Sequence, residues 1–165
     1  MALTAARIFT GRDKIITFLG GYHGSVISFA SLTPILSNAP YPFVICQYND
    51  VEGAIAAIHE HADDLAAVIL EPMLGGGGGI VASTPFLSAL RDVTRQVGAL
   101  LIFDEVMTSR MSGGGVQSRV GITPDLTALG KYMGGGMSFG AFGGRADIME
   151  PFAGKVAMPE PSTTL

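Results

Sequence analysis

Two charged residues close two apolar runs in this chain. Asp104 ends Ala99-Leu-Leu-Ile-Phe-Asp104, with Glu105 and Val106 behind it, and Lys131 ends Leu126-Thr-Ala-Leu-Gly-Lys131. The stretch from Gly98 to Phe103 reads as a strand apolar on both faces, so Asp104 falls where a parallel sheet ends and where open α/β sheets bind ligands. A carboxylate left unpaired there would be costly. Lys131 leads into Gly134-Gly135-Gly136, a backbone able to lie close against something flat. An amine that can condense with a carbonyl, together with a carboxylate that can keep a ring nitrogen protonated, is the pairing a pyridoxal phosphate site uses.

The elements that must deliver these residues follow from patterning. Strands are expected at Lys14 to Phe18, which runs on to Gly20-Gly21-Tyr22-His23-Gly24, at Phe43 to Gln47 after the Pro40-Tyr-Pro42 breaker, and at Ala66 to Leu70 before Glu71-Pro72. Asn49 or Asp50 caps a helix with Ile55, Ile58 and Ala62 on one face and Glu52 in its first turn. Thr84 is expected to cap a second helix, with Pro85 in its first turn, Phe86, Leu90, Val93 and Val97 as its stripe and Gly98 as its end. Strands alternating with helices predict an α/β fold, a mostly parallel sheet covered on both faces. No internal repeat or linker divides the chain, so residues 1–165 are read as one partial domain.

At 165 residues and 48% apolar content the chain is richer in apolar side chains than a lone domain of its size, so some of that surface is expected to meet a partner. A net charge of -4 provides no basic footprint for nucleic acid. The single cysteine, Cys46, excludes an internal disulfide and supplies no zinc cluster. No metal site is expected, and no apolar run reaches the ~18 residues of a membrane span. Residues Met1 to Arg12 carry two arginines and no acid, faintly like a transit peptide, but read better as a helix.

Glycine-rich segments invite a phosphate-loop reading. Gly75 to Gly79 matches no GxxxxGK motif followed by Ser or Thr, and Gly130-Lys131 is followed by Tyr132. The apolar strand ending in Asp104-Glu105 is all that favours that alternative. No strand leads into GxGxxG with an acid some twenty residues on, so a dinucleotide fold is not supported either.

Taken in order, Thr10-Gly-Arg-Asp-Lys-Ile15, Gly21-Tyr-His-Gly24, Leu70-Glu-Pro72, Leu101-Ile-Phe-Asp-Glu-Val-Met-Thr108, Pro124-Asp-Leu126, Leu129-Gly-Lys131 and Gly140-Ala-Phe-Gly-Gly-Arg145 resemble the class III aminotransferases. Within them the chain is most similar to glutamate-1-semialdehyde 2,1-aminomutase and its relatives. The resemblance spans nearly the whole chain. It implies the large domain of a fold-type-I pyridoxal-phosphate transferase, a homodimer with sites at the subunit interface, and transfer of an amino group between a small amino acid or amine and a keto or aldehyde acceptor.

Roles implied by the resemblance fall on matching positions. Lys131 would be the Schiff-base lysine and proton carrier, and Asp104 the partner of the ring nitrogen. Val106 would pack on one ring face and Tyr22 stack on the other. His23 would orient its neighbours or contact Asp104, although a satisfied structural histidine fits equally well. Glu71 and Glu105 would be acids standing behind the site, or ordinary hydrogen-bonded carboxylates. Many ω-aminotransferases carry a gating glutamate where this chain has Gly76, and glutamine where it has Met107; both departures tilt the reading toward the aminomutase branch.

Relatives are also expected to carry a phosphate-binding turn ahead of Met1 and a further domain after Leu165, and Met158 to Leu165 does not read as the start of the segment expected next. The chain is therefore read as a large domain truncated at both ends, binding cofactor weakly on its own. The competing reading is an inactive, partner-dependent remnant. The expected compartment is the cytoplasm, with a mitochondrial one as the alternative.

Overall fold

Strand β1 (Lys14–Phe18) is apolar on both faces because it lies inside a sheet covered on both sides, and the same holds for β3 (Leu65–Leu70) and β6 (Leu100–Asp104). The computed structural model describes residues 1–152; the expectation for Met158 to Leu165 lies outside the described residues. With β2 (Phe43–Cys46), β7 (Leu126–Gly130) and β8 (Gly140–Gly144) these strands form one sheet of order β2-β1-β3-β6-β7-β8. All neighbours pair parallel except β7 and β8, which run antiparallel from Leu126↔Gly144 to Gly130↔Gly140. The expected mostly parallel α/β sheet is thus present, with an antiparallel edge that patterning did not announce, since Gly140-Ala-Phe-Gly-Gly144 has little strand propensity.

Period-two alternation divides the interior into two cores. On one face Ile16, Phe18, Val68, Leu70, Leu101 and Phe103 meet Ile58 of α2 (Val51–Glu60) and Phe86, Leu87 and Leu90 of α3 (Thr84–Val97). On the other, Ile15, Ala67, Ile69, Leu100 and Ile102 meet Leu3, Ala5 and Ala6 of α1 (Ala2–Thr10). Between β3 and α3 the chain makes a small hairpin, β4 (Met73–Leu74) against β5 (Ile80–Val81), whose connection is the glycine run. Gly78 and Gly79 take φ of 101° and 74° there, the left-handed region in which a side chain is disfavoured.

Helix ends correct two local expectations. Ser83, not Thr84, caps α3: its hydroxyl accepts from the Phe86 amide at 3.3 Å, which leaves Pro85 at a first-turn position with no N–H to satisfy. Asp50 caps α2 by accepting from Gly53, while Asn49 instead ties the hairpin to α3 through Val81 and Ser83. Ala62 falls beyond the end of α2, so Ala54 joins Ile58 on the buried face in its place. Gly98 does end α3, at φ 72°. A short helix, α4 (Gly115–Val120), joins β6 to β7, and α5 (Ala146–Met149) packs Ile148 against the α1 side. Among the described residues no helix is long and apolar enough to cross a membrane.

Candidate active site

Parallel strands deliver their carboxyl ends to one edge of the sheet, and the side chains with chemical capacity follow those ends. Tyr22 and His23 come just after β1, Glu71 just after β3, Asp104 is the last residue of β6, and Lys131 comes just after β7. All of them, with Gly24 and Val106, line one cavity of about 200 Å³. A neighbouring cavity of about 400 Å³ shares His23 and Asp104 and reaches Leu3 of α1 and Phe142 of β8. The antiparallel edge thus lines the second cavity, a role that the Gly140 to Arg145 motif did not by itself reveal.

The Asp104 carboxylate is buried and fixed at both oxygens. His23 Nδ1 lies 2.8 Å from Oδ2, and the Val106 amide donates to Oδ1 at 3.1 Å. Because its own strand and the following turn hold it in place, the carboxylate reaches the cavity with a set orientation. At Gly130, beside Lys131, a Cβ would lie at ordinary contact distance, 3.6 Å, from both Val106 methyls but within a tight 3.2 Å of the Phe139 carbonyl oxygen, so glycine there eases the approach of the Phe139 backbone.

Lys131 has φ 51° and opens a single 3₁₀ turn, Lys131–Gly134, with Gly135 at φ 57° closing it. A non-glycine residue in the left-handed region stores on the order of 1–2 kcal/mol, held here by the β7–β8 pairing that ends at Gly130↔Gly140. Gly134 is where the turn closes on its neighbour, since a Cβ there would meet that of Phe139 at 2.8 Å.

Glu71 is buried, and its two oxygens accept from backbone amides of two different segments, Tyr22 at 2.9 Å and Gly75 at 3.1 Å. Its own carbonyl accepts from the Tyr48 hydroxyl at 2.7 Å. Burial, reinforced by the nearby Glu71 charge, pushes the Tyr48 phenol above its ordinary range, so it remains a donor. Tyr22 is about half exposed, and Gly76 runs close beside its Cβ.

Glu105 lies apart from this cavity. Fully buried, it accepts from the Thr108 hydroxyl at 3.0 Å and from the amides of Val116 and Gln117 at 2.7 and 3.0 Å, which places it as the cap of α4. Asp125 had no role assigned from sequence. It joins Arg91 of α3, the Leu101 amide of β6 and Arg145 after β8 through contacts of 2.8, 2.8 and 3.0 Å. Only its place in the Pro124-Asp-Leu126 motif marked it.

Comparisons with known proteins bear on this arrangement. The family model for aminotransferase class-III matches residues 1–162. A β-phenylalanine transaminase of Variovorax paradoxus is 55% identical over 152 residues, 92% of this chain and 35% of the relative. The solved β-phenylalanine aminotransferase from that organism superimposes with TM-score 0.90 at 54% identity, covering 93% of this chain and 35% of that one. A glutamate-1-semialdehyde 2,1-aminomutase of Rhodopirellula baltica is 47% identical over 171 residues, 94% of this chain and 39% of the relative. A transaminase solved with PLP bound gives TM-score 0.83 at 34% identity, covering 96% of this chain and 41% of that one. The chain thus spans well under half the length of the relatives it matches, and its sheet is part of the large domain of the fold-type-I transferases.

Proposed function

The chain belongs to the class III aminotransferase family, and on that premise we propose that it is the part of a pyridoxal-phosphate-dependent aminotransferase or aminomutase that carries the reactive lysine. The observation that carries this reading is the convergence of Asp104 and Lys131, from adjacent parallel strands, on one cavity with Tyr22, His23 and Val106. These residues fit the cofactor's chemistry: an amine, a buried carboxylate with both oxygens oriented, one aromatic and one branched apolar side chain. When bound, pyridoxal phosphate supplies an aldehyde that condenses with amines and a ring that draws electrons from the bond being broken.

The remaining work falls to the chain. Lys131 Nζ would hold the cofactor through its aldehyde, and as a free amine it would move a proton between the substrate carbon and the position next to it. Asp104 would hold a proton at the ring nitrogen, and the contacts of its two oxygens with His23 Nδ1 and the Val106 amide fix its orientation for that task. Tyr22 and Val106 bound the ring. The substrate is a small amino acid and the acceptor a keto acid or aldehyde. The Gly76 and Met107 departures tilt the reading toward the aminomutase branch, to which the Rhodopirellula baltica relative belongs. A second reading, transfer from a β-amino acid, is favoured by the 55% identity to the Variovorax paradoxus enzyme.

The test is borohydride reduction of the chain incubated with pyridoxal phosphate, followed by peptide mass mapping. A pyridoxyl group fixed on Lys131 and absent from Lys131→Ala is expected. Label spread over other lysines, or undiminished in Lys131→Ala, would overturn the assignment and leave the inactive-remnant reading. Glutamate-1-semialdehyde and β-phenylalanine offered as amino donors to the loaded chain then decide between the two substrates, by which one bleaches the visible absorbance.

A further inference from the structure

Four buried side-chain polar atoms have no partner among the described residues, and two of them, His23 Nε2 and Thr17 Oγ1, face Gly21. A Cβ built on Gly21 would lie 2.9 Å from the Phe18 carbonyl oxygen, 3.4 Å from His23 Nε2 and 3.7 Å from Thr17 Oγ1. The φ of Gly21 is not in the left-handed region, so its backbone conformation alone does not call for glycine. Glycine places no side chain in the small space where these three polar atoms converge. The two side-chain atoms make no hydrogen bond to each other, yet leaving both unsatisfied in the interior would be costly.

We propose that this space is an ordered-water site, and that the water makes Thr17 a positioning residue for Asp104. The polar groups match one water molecule in number and kind. The Thr17 hydroxyl donates to the water oxygen. One water hydrogen goes to the His23 Nε2 lone pair, and the other to the Phe18 carbonyl, which already accepts from the Gly21 amide at 3.0 Å and has a second lone pair to offer. With Nε2 an acceptor, the ring proton sits on Nδ1 and is donated to Asp104 Oδ2 across the observed 2.8 Å. A water behind the ring thus sets which way the histidine proton points, as second-layer hydrogen bonds do for histidines that hold metals. Thr17 lies on β1 and Asp104 ends β6, with β3 between them, so the water couples strands that do not pair.

The consequence for cofactor binding rests on the reading of Asp104 given above; the water and the tautomer do not. Long-range ¹H–¹⁵N spectra of the cofactor-free chain, comparing the parent with Thr17→Val, Thr17→Ser and Gly21→Ala, therefore test the inference first. The parent is expected to carry its His23 proton on Nδ1, with Nε2 shifted by an accepted hydrogen bond. Thr17→Val, which keeps the shape and removes the hydroxyl, and Gly21→Ala, which fills the space, should lose that shift. Thr17→Ser should keep it. A proton found on Nε2, or His23 signals unchanged in Thr17→Val, would overturn the proposal, and the serine variant covers the case in which Gly21→Ala fails to fold.

Pyridoxal phosphate titration then reads the functional part. Thr17→Val should weaken binding about 2- to 10-fold, the net worth of one hydrogen bond, and the loss should vanish in a His23→Phe background. Equal losses in both backgrounds would show that Thr17 does not act through His23. Failure of every form to bind cofactor would count against the reading of the site rather than against the water.

Discussion

The Glu71 carboxylate accepts the Tyr22 amide at 2.9 Å with one oxygen and the Gly75 amide at 3.1 Å with the other. One side chain at the end of β3 thereby fastens the loop that follows β1 to the hairpin that follows β3. Neither segment has regular structure of its own at these positions beyond one isolated bridge between Tyr22 and Ser28. The shape of that side of the cavity therefore depends on a carboxylate whose hydrogen bonds among the described residues go to backbone amides.

Glu71→Ala is expected to leave both amides without their partner, at a cost of about 1–3 kcal/mol in urea denaturation. Amide exchange at Tyr22 and Gly75 should accelerate while β3 stays protected. Glu71→Gln, which can accept at only one end, should fall between alanine and the parent. Unchanged exchange at both amides in Glu71→Ala would refute the fastening role.

Glu105→Ala separates an acid in the site from a structural cap. Three donors lose a buried acceptor, and α4 loses the charge at its start, so destabilisation of roughly 3 kcal/mol is expected. Gly115 shows how closely this cap is built, for a Cβ there would lie 2.5 Å from Glu105 Oε2. Exchange protection should fall at Val116 and Gln117 and hold at Tyr22. Lost protection at Tyr22 instead would tie Glu105 to the cavity after all.

Legibility in the sequence followed physical locality. β1, β3 and β6 were readable because burial on both faces makes nearly every residue apolar, and the end of such a run marks the sheet edge, which made Asp104 visible; Lys131 was visible from the short run Leu126 to Gly130 and the glycines behind it. Ser83 was missed as the cap of α3 because Thr84-Pro85 offered an equally plausible cap one residue later. β8 was missed because a strand of Gly140-Ala-Phe-Gly-Gly144 owes its state to β7 rather than to propensity. The tasks of Glu71, Glu105 and Asp125 depend on partners brought together by the fold, and a carboxylate's hydrogen-bond partners leave no mark at its own position. The Thr17, Gly21 and His23 cluster was partly visible as a motif, but its polar accounting appears only once side chains have neighbours.

Asp125 carries the clearest dependence on pH. Burial alone would raise its carboxyl pKa, but the Leu101 amide and the Arg91 and Arg145 guanidinium groups outweigh it, and the group lies below its ordinary value. A carboxyl depressed in the folded state contributes stability that is fully present above its unfolded pKa of about 3.9 and is lost as pH falls through the lower folded value. Breaking such a buried pair costs about 3–5 kcal/mol, so Asp125→Asn should be destabilised by about 3 kcal/mol at neutral pH, the lower end because Arg145 is partly exposed. The parent should then lose its advantage on acidification. Urea midpoints for parent and variant are expected to stay well apart from pH 7 down to about 5 and to draw together below pH 4. A gap that stays constant down to pH 2 would show that the carboxylate charge is not what holds α3, β6 and the end of β8 together at this point.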